Sequence, residues 1–405
     1  MPRSRAKSNT GEKPKSGPKN PRKGASAAPH SSLKSALYKG GASKTGRGKT
    51  SRSSSSSGQS ANPTVSTAFP TDSKPAQRAA PKPVQKQAVR EELPQRERRQ
   101  GARVPDRIGM ILETPADADY ALLDTGNGEK LERYGSLIIR RPEGQAVWLP
   151  SLNAKQWDAA DAVFTGDTDE EGQGRWRYPK SDLAETWPLA FDGMPYLGRF
   201  TSFRHTGVFP EQAAHWRAMR AAIEATTIAG RKVRVLNLFG YTGLASLVAA
   251  RAGAEVTHVD ASKKAIGWAR ENQTLAGLND KPIRWICEDA MRFCAREVRR
   301  GQTYDIILLD PPAFGRGAKG EVWHLFEHLP HLLDLVRALQ SKHPLQTVLT
   351  SYAIRASHIA LHELMQEAFA GMDGRLESGE LVLRQAAGGR SLSTSMFCRY
   401  LGPQA

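Results

Sequence analysis

The chain has 405 residues, with 58 Lys and Arg against 41 Asp and Glu, an excess of +17. Residues 1–90 hold 19 of the basic side chains and only two acids, Glu12 and Asp72, so that segment carries the whole excess and the other 315 residues balance at 39 against 39. This excludes a uniformly basic nucleic-acid-binding globule and leaves a neutral globular part, long enough for one large domain or two smaller ones, behind a cationic extension.

Within residues 1–90 there are 35 Ser, Pro and Gly and only eight large apolar side chains. Such a segment buries too little apolar surface to offset its ordering entropy, which predicts a disordered basic tail over 1–102. Three roles compete for it: an arm that gathers RNA by counterion release, an organellar transit peptide, and a solvated linker. Lys outnumbers Arg there, and Pro and Gly break any amphipathic helix in the first 30 residues, which weighs against a transit peptide. No apolar run reaches the length of a membrane span or a secretory leader, so a soluble, cytoplasmic protein without membrane contact is expected, with mitochondrial or plastid import as the alternative. Three cysteines, Cys287, Cys294 and Cys398, without CxxC spacing point to a reducing compartment, no disulfide framework and no structural zinc.

From Ile108 the pattern is short and strand-like, with strands predicted at Ile108–Leu112, Tyr120–Asp124, Glu129–Tyr134 and Leu137–Arg140. Asp124-Thr-Gly-Asn-Gly128 marks a hairpin because Gly and Asn accept positive φ. A helix is predicted over Ala154–Val163, then strands at Trp187–Phe191 and Tyr196–Phe203 around an Asp192-Gly193 turn, giving a small, mostly β subdomain over 103–205. Four tryptophans, Trp148, Trp157, Trp176 and Trp187, suit either its core or base stacking.

Pro210 opens a helix to about Thr227, and over 206–405 strands alternate with helices. The strands are Val233–Phe239, Glu255–Asp260, Ile283–Cys287, Tyr304–Asp310 and Thr347–Ser351. The intervening helices are Thr242–Ala252, Ser262–Ala276 with Ser262 as N-cap, Ala290–Arg300 and Glu321–Gln340, and His358–Gly371 follows the fifth strand. Strands Arg375–Arg384 and Leu392–Leu401 form a final hairpin. Repeated β-α units give an α/β, Rossmann-like, doubly wound sheet of seven strands, the hairpin adding an antiparallel edge.

In such a sheet ligands bind beyond the carboxyl ends of the strands, where strand order reverses. The first strand is followed by Asn237-Leu-Phe-Gly-Tyr-Thr-Gly243, whose last glycine permits a tight turn into a helix N-terminus. Asp260 ends the second strand, suited to ribose hydroxyls; Glu288-Asp289 follow the third, and Asp310-Pro-Pro-Ala-Phe314 the fourth. Phe239 and Tyr241 stand where a GxGxxG loop has glycines for the close backbone approach a dinucleotide pyrophosphate needs, which argues against a dehydrogenase. A nucleoside cofactor without pyrophosphate fits, S-adenosylmethionine being the commonest.

Residues 233–314, with N-x-F-x-Y-T-G, V-D-x-S, E-D-A and D-P-P-x-F, resemble the class I S-adenosylmethionine-dependent methyltransferases. Within them the chain is similar to the branch typified by bacterial 23S ribosomal RNA large-subunit methyltransferases, a likeness that takes in Leu122–Gly135 and Thr206–Gln212 and spans roughly 108–402. The resemblance implies that Asn237, Phe239, Gly240, Tyr241, Thr242 and Gly243 line the methionyl end of the cofactor. It implies that Asp260, with Ala261, takes the ribose and that Asp289 approaches the adenine amino group beside Cys287 and Ala290. Thr206, Gly207, Phe209, Glu211 and Gln212 would close over the cofactor, and Asp310, Pro311 and Pro312 would face the methyl group and the acceptor.

The residues of that last loop suit transfer to nitrogen. Asp310 accepts from an amino or ring N–H, the prolines fix the loop, and Phe314 offers a stacking face. In cytosine-methylating relatives a nucleophilic cysteine follows the fifth strand; here Leu349-Thr-Ser-Tyr-Ala353 has none, so cysteine-dependent carbon-5 methylation is not expected. Arg316, Lys319, Arg199 and Arg204 are candidates for a basic patch against RNA. His324, His328 and His331 lack a carboxylate cluster, and His205, Glu211 and His215 read better as a helix start with Glu211 in its first turn, so no metal is expected. The expected activity is methylation of RNA, ribosomal RNA first, on a base nitrogen. A protein acceptor such as a ribosomal protein and a non-catalytic RNA-binding assembly factor are the alternatives, and the oligomeric state is open.

Overall fold

The structure is a computed structural model that describes residues 93–166, 174–317, 320–352 and 354–403. The chain divides into units Met1–Lys82 and Pro83–Ala405, and everything below lies in the second; the expected disorder of the basic tail falls outside the described residues up to position 92.

Chain order begins with β1 (Asp106–Thr114), followed by β2 (Tyr120–Gly126), β3 (Glu129–Tyr134) and β4 (Leu137–Pro142). Asn127 and Gly128, at φ 53° and 78°, make the β2–β3 turn in the left-handed region the sequence anticipates. Helix α1 spans only Ala154–Asp158, because Ala162–Gly166 is strand β5, which pairs with β4 at Ile139–Ala162 and with β6 (Gly174–Arg177). The predicted helix to Val163 is thus cut short: an Asn153–Gln156 capping box starts it, and the Asp161 N–H donates to Ile138 O at 2.7 Å, turning the chain into the sheet. β2 to β6 form a five-stranded sheet in sequence order, and β7 (Thr186–Phe191) and β8 (Met194–Arg199) a separate hairpin. The tryptophans here serve structure: Trp157 and Trp187 are buried, while Trp148 and Trp176 donate to Thr125 O and Thr201 O.

Next come α2 (Ala213–Ile228), β9 (Arg234–Leu238), α3 (Leu244–Arg251), β10 (Glu255–Asp260), α4 (Lys263–Leu275), β11 (Ile283–Cys287), α5 (Ala290–Arg299) and β12 (Ile306–Leu309). A hairpin of β13 (Phe314–Arg316) and β14 (Val322–His324) follows, then α6 (Leu325–Ala338), β15 (Gln346–Tyr352), α7 (His358–Phe369), β16 (Arg375–Arg384) and β17 (Ser391–Leu401). The helix predicted from Glu321 therefore starts at Leu325, since Val322–His324 pair with the strand that leaves the Asp310 loop.

The main sheet has eight strands among the described residues, in the order β1-β16-β17-β15-β12-β9-β10-β11. The seven expected strands are all in it. The eighth, β1, pairs in parallel with β16, so the final hairpin is an inner element rather than the edge. Alternate residues face opposite cores. Val235, Ile306 and Leu308 pack with Met219, Ile223 and Leu247 on one face; Leu236, Leu238, Ile307 and Leu309 pack with Phe293, Leu332 and Phe369 on the other. The first core also holds Tyr120, Leu122, Tyr134 and Ile139, so residues 103–205 share a core with the α/β part. From β9 the chain runs to β10 and β11 on one side and returns to β12 on the other, which puts the reversal of strand order between β9 and β12. Leu238 and Leu309 are register partners there, and the loops after them emerge side by side.

Candidate active site

The loop after β9 carries alternating left-handed residues: Phe239, Tyr241 and Gly243 have φ of 56°, 51° and 84°. For the two aromatic residues this costs about 1–3 kcal/mol each and persists only where the surroundings enforce it. Those surroundings are specific. The Tyr241 N–H donates to Asp260 Oδ2 at 2.9 Å, and Thr242 Oγ1 donates to Gly207 O at 2.7 Å. Asn272 Nδ2 donates to Thr242 O at 3.0 Å. Beneath the loop, buried Asn237 donates through Nδ2 to Ser246 Oγ at 2.9 Å, and that hydroxyl meets His258 Nδ1 at 3.0 Å. A Cβ on Gly240 would stand 2.3 Å from the His258 ring, so the loop lies on this histidine only because residue 240 has no side chain. Burial pushes the His258 imidazole down to about 3, and it stays neutral.

Asp260, half-buried at the end of β10, accepts from the Ser262 N–H at 2.8 Å with Oδ1 as well as from Tyr241 with Oδ2. Burial raises its carboxyl above the ordinary aspartate range, against both hydrogen bonds. A carboxylate has about four acceptor positions, so capacity remains for hydroxyl donors. Asp289 caps α5, accepting from the Arg292 N–H at 3.0 Å, and burial raises it too.

Asp310 leaves the end of β12 and accepts from Thr350 Oγ1 at 2.5 Å; Gln212 Nε2 in turn donates to Thr350 Oγ1 at 3.0 Å. Burial raises the Asp310 carboxyl, opposed by the side chains of Thr350 and Gln212. Pro312 is held by its carbonyl, which accepts from Trp323 Nε1 at 2.7 Å, so the β13–β14 hairpin braces the loop.

A cavity of about 340 Å³ connects these groups, with Asp260, Ala261, Asp289 and Ala290 among its lining residues as well as Asp310, Pro311 and Pro312. A smaller one of about 70 Å³, lined by Asn237, Gly240, Thr242 and Gly207, shares Phe209, Gln212, Phe239, Tyr241 and Asp310 with it. Aromatic rings form much of the larger wall, Phe239 lying 5.0 Å from Trp323 and Phe209 5.8 Å from Tyr241 between centroids. The donor set fits S-adenosylmethionine: acceptor capacity on Asp260 for ribose hydroxyls, a neutral aromatic wall, and no glycine-rich approach for a pyrophosphate.

Most sequence-predicted site residues thus converge, with three exceptions. Thr206, Gly243 and Phe314 line neither cavity. Thr206 accepts through its carbonyl from the Arg199 N–H, and Gly243 caps α3 where a Cβ would meet Ala269 at 2.8 Å. The Phe314 ring packs 5.0 Å from His324, so the expected stacking face is turned to the hairpin; Phe209 and Tyr352 line the cavity instead. Glu211 lies in the expected first turn, in the Pro210–Gln212 turn that leads into α2, and it is buried there: it is 5% exposed, and burial pushes its carboxyl up to about 7. His215 is also buried, its ring 5.1 Å from Phe397. Arg199 and Arg204 are no surface patch. Arg199 is buried and pairs with Glu271 at 2.8 Å, and Arg204 is buried and donates to the Tyr352 hydroxyl at 3.1 Å. Arg316 is exposed on the cavity rim, and Lys319 lies outside the described residues. Thr350, Trp323, Tyr352 and Ser395 also line the cavities, and the sequence does not reveal them because ordinary strand and loop residues carry no local signal of what lies across the sheet.

Comparison with known proteins converges on the same cofactor chemistry. A family model described as S-adenosylmethionine-dependent methyltransferase matches residues 168–343. A crystal structure of a SAM-dependent methyltransferase from Agrobacterium tumefaciens is 58% identical, with a TM-score of 0.73, covering 75% of this chain and 97% of that one. The ribosomal RNA large subunit methyltransferase K/L of Shewanella baltica is 35% identical over 156 residues, 38% of this chain and 21% of that protein. The ribosomal RNA large subunit methyltransferase K of Neisseria meningitidis is 27% identical over 204 residues, 48% of this chain and 54% of that protein. The chain thus spans about a fifth of the first of these curated relatives and about half of the second.

Proposed function

The chain belongs to the S-adenosylmethionine-dependent methyltransferases, and on that premise we propose that it methylates RNA, ribosomal RNA first, on a base nitrogen and without a catalytic cysteine. S-adenosylmethionine supplies an electrophilic methyl group on a sulfonium, which needs no acid from the protein. The protein's task is placement. Asp260 and Asp289 would hold the nucleoside end and the strained loop of residues 239–243 the methionyl end, while Asp310 would accept an N–H of the acceptor and so orient the nitrogen for transfer. Pro311 and Pro312, with Trp323 bracing Pro312, keep that carboxylate in place.

The observation that carries the reading is the single cavity joining Asp260 and Asp289 to the proline-fixed Asp310. The ribosomal RNA methyltransferase relatives support RNA as acceptor. The cysteines favour a non-covalent route: Cys294 and Cys398 are buried with their thiols pushed well above the ordinary range, and Cys287 lies at the end of β11 with Sγ 3.7 Å from Ala261 O. None of the three lines the cavity.

Asp310→Ala is expected to abolish methyl transfer, on the order of a hundredfold or more, while S-adenosylmethionine affinity measured by calorimetry stays near wild type. Normal turnover in this variant refutes the role given to Asp310. Labelling with radioactive cofactor, followed by ribonuclease or protease, separates an RNA acceptor from a protein acceptor.

A further inference from the structure

One stretch of the cavity wall is made by His205, Phe209, Glu211, Tyr352 and Ser395. Three of them are rings: His205 lies 5.3 Å and Tyr352 6.3 Å from Phe209 between centroids. Burial and the charges of Arg141, Arg204 and Lys130 hold the His205 imidazole down at about 3, so it is a neutral face. Glu211 is the anomaly. It is 5% exposed, and besides its own backbone N–H its carboxylate has one side-chain hydrogen bond among the described residues, a long one from Ser395 Oγ to Oε1 at 3.5 Å. The charge of Lys130 reaches it, but the Lys130 ammonium is paired with Glu143 at 3.2 Å. A buried carboxylate on a cavity wall with so little satisfied acceptor capacity is costly until a donor arrives.

We infer that Glu211 is an acceptor-binding residue: its carboxylate takes an N–H of the methyl-accepting group, a flat nitrogen heterocycle set against the rings of Phe209, His205 and Tyr352. The assignment rests on the reading of a nucleic-acid base as acceptor. It differs from the expectation that Glu211 closes over the cofactor. The groups facing Glu211 are Lys130, Glu132 and Tyr134 of β3, Tyr120 of β2 and Asp310 beyond β12. Burial raises the Glu211 carboxyl to about 7, Asp310 and Glu132 push it the same way, and Lys130 opposes them. A carboxylate accepts an N–H better than a neutral acid does, so acceptor binding rises with pH through that value.

The test uses the full chain, methyl-labelled S-adenosylmethionine and ribosomal RNA, comparing wild type with Glu211→Gln and Ser395→Ala. Glu211→Gln is expected to lower kcat/KM for RNA about tenfold, to keep cofactor affinity within about twofold, and to abolish the rise in kcat/KM that wild type shows around neutral pH. Ser395→Ala is expected to lower kcat/KM about threefold and to keep the rise. A Glu211→Gln enzyme with wild-type kcat/KM and pH profile overturns the assignment. If that variant loses cofactor binding, Ser395→Ala decides: a fall in kcat/KM with intact cofactor affinity supports the assignment, and unchanged kcat/KM defeats it. Label that wild type places only in protease-sensitive material refutes the base-methylation reading itself, before any variant is compared.

Discussion

Individual side chains at this site work under tension, and Glu211 shows it in a form that stability measurements detect. Its carboxyl lies at about 7 in the folded chain against an ordinary 4.5, because burial disfavours the charged form. The native state therefore holds this proton more tightly than the unfolded chain does. Stability from this group is fully present below about pH 4.5 and is lost as pH rises through about 7, to a total of about 3 kcal/mol. Glu211→Gln removes that loss, so the variant is expected to match wild type near pH 4.5 and to be the more stable protein at pH 8, as read by thermal melts across the range. A residue that costs folding energy at working pH is what a binding role demands and a purely structural role does not. Phe239 and Tyr241 carry the same signature in the backbone, holding left-handed φ without being glycine. Composition points at neither kind of strain; both arise from what surrounds the residue.

At the scale of elements, the cofactor loop is held by its neighbours more than by itself. Asn272 on α4 is fully buried and joins two segments, donating to Thr242 O at 3.0 Å and accepting from the Leu197 N–H of β8 at 3.0 Å. Asn272→Ala strands a donor and an acceptor, each costing about 1–3 kcal/mol. The variant is expected to melt several degrees lower and to bind S-adenosylmethionine more weakly, measured by calorimetry. Element boundaries follow the same logic. The helices predicted over 154–163 and 321–340 are both shortened, because Ala162–Gly166 and Val322–His324 find strand partners that local periodicity does not reveal. Strand β1 likewise pairs with β16, about 270 residues away, rather than with its sequence neighbours. Glu255–Asp260, Ile283–Cys287 and Arg375–Arg384, by contrast, are strands over the residues predicted, each bounded by turn or cap residues that punctuate the chain.

For the whole molecule the separation of charge is the leading fact. The +17 excess sits in residues 1–90 while the rest of the chain sums to zero, and of the basic-patch candidates Arg199, Arg204, Arg316 and Lys319 the first two are buried in structural roles. We propose that the basic segment tethers RNA without choosing the site. Removing residues 1–90 is expected to weaken RNA affinity and to flatten its dependence on salt, leaving cofactor affinity and the methylated position unchanged. Binding isotherms at two salt concentrations test this, and equal RNA affinity with and without the segment returns it to the role of a linker.

The sequence by itself determined the doubly wound sheet, the loops at its carboxyl ends and a nucleoside cofactor without pyrophosphate, which the resemblance of its motifs to a known family narrowed to S-adenosylmethionine. Those features rest on short-range regularities: alternating β and α grammar, glycine turns, and acids at strand ends in a fixed order. Tertiary structure alone decided which rings and carboxyls line the cavity. Glu211, Tyr352 and Ser395 come from segments about 40 to 180 residues apart and meet at one cavity, and Phe314 turns away because its strand pairs with β14. It also decided the charge states there, since burial, which pushes Glu211 up and His205 down, is a property of the packed molecule and not of the residue.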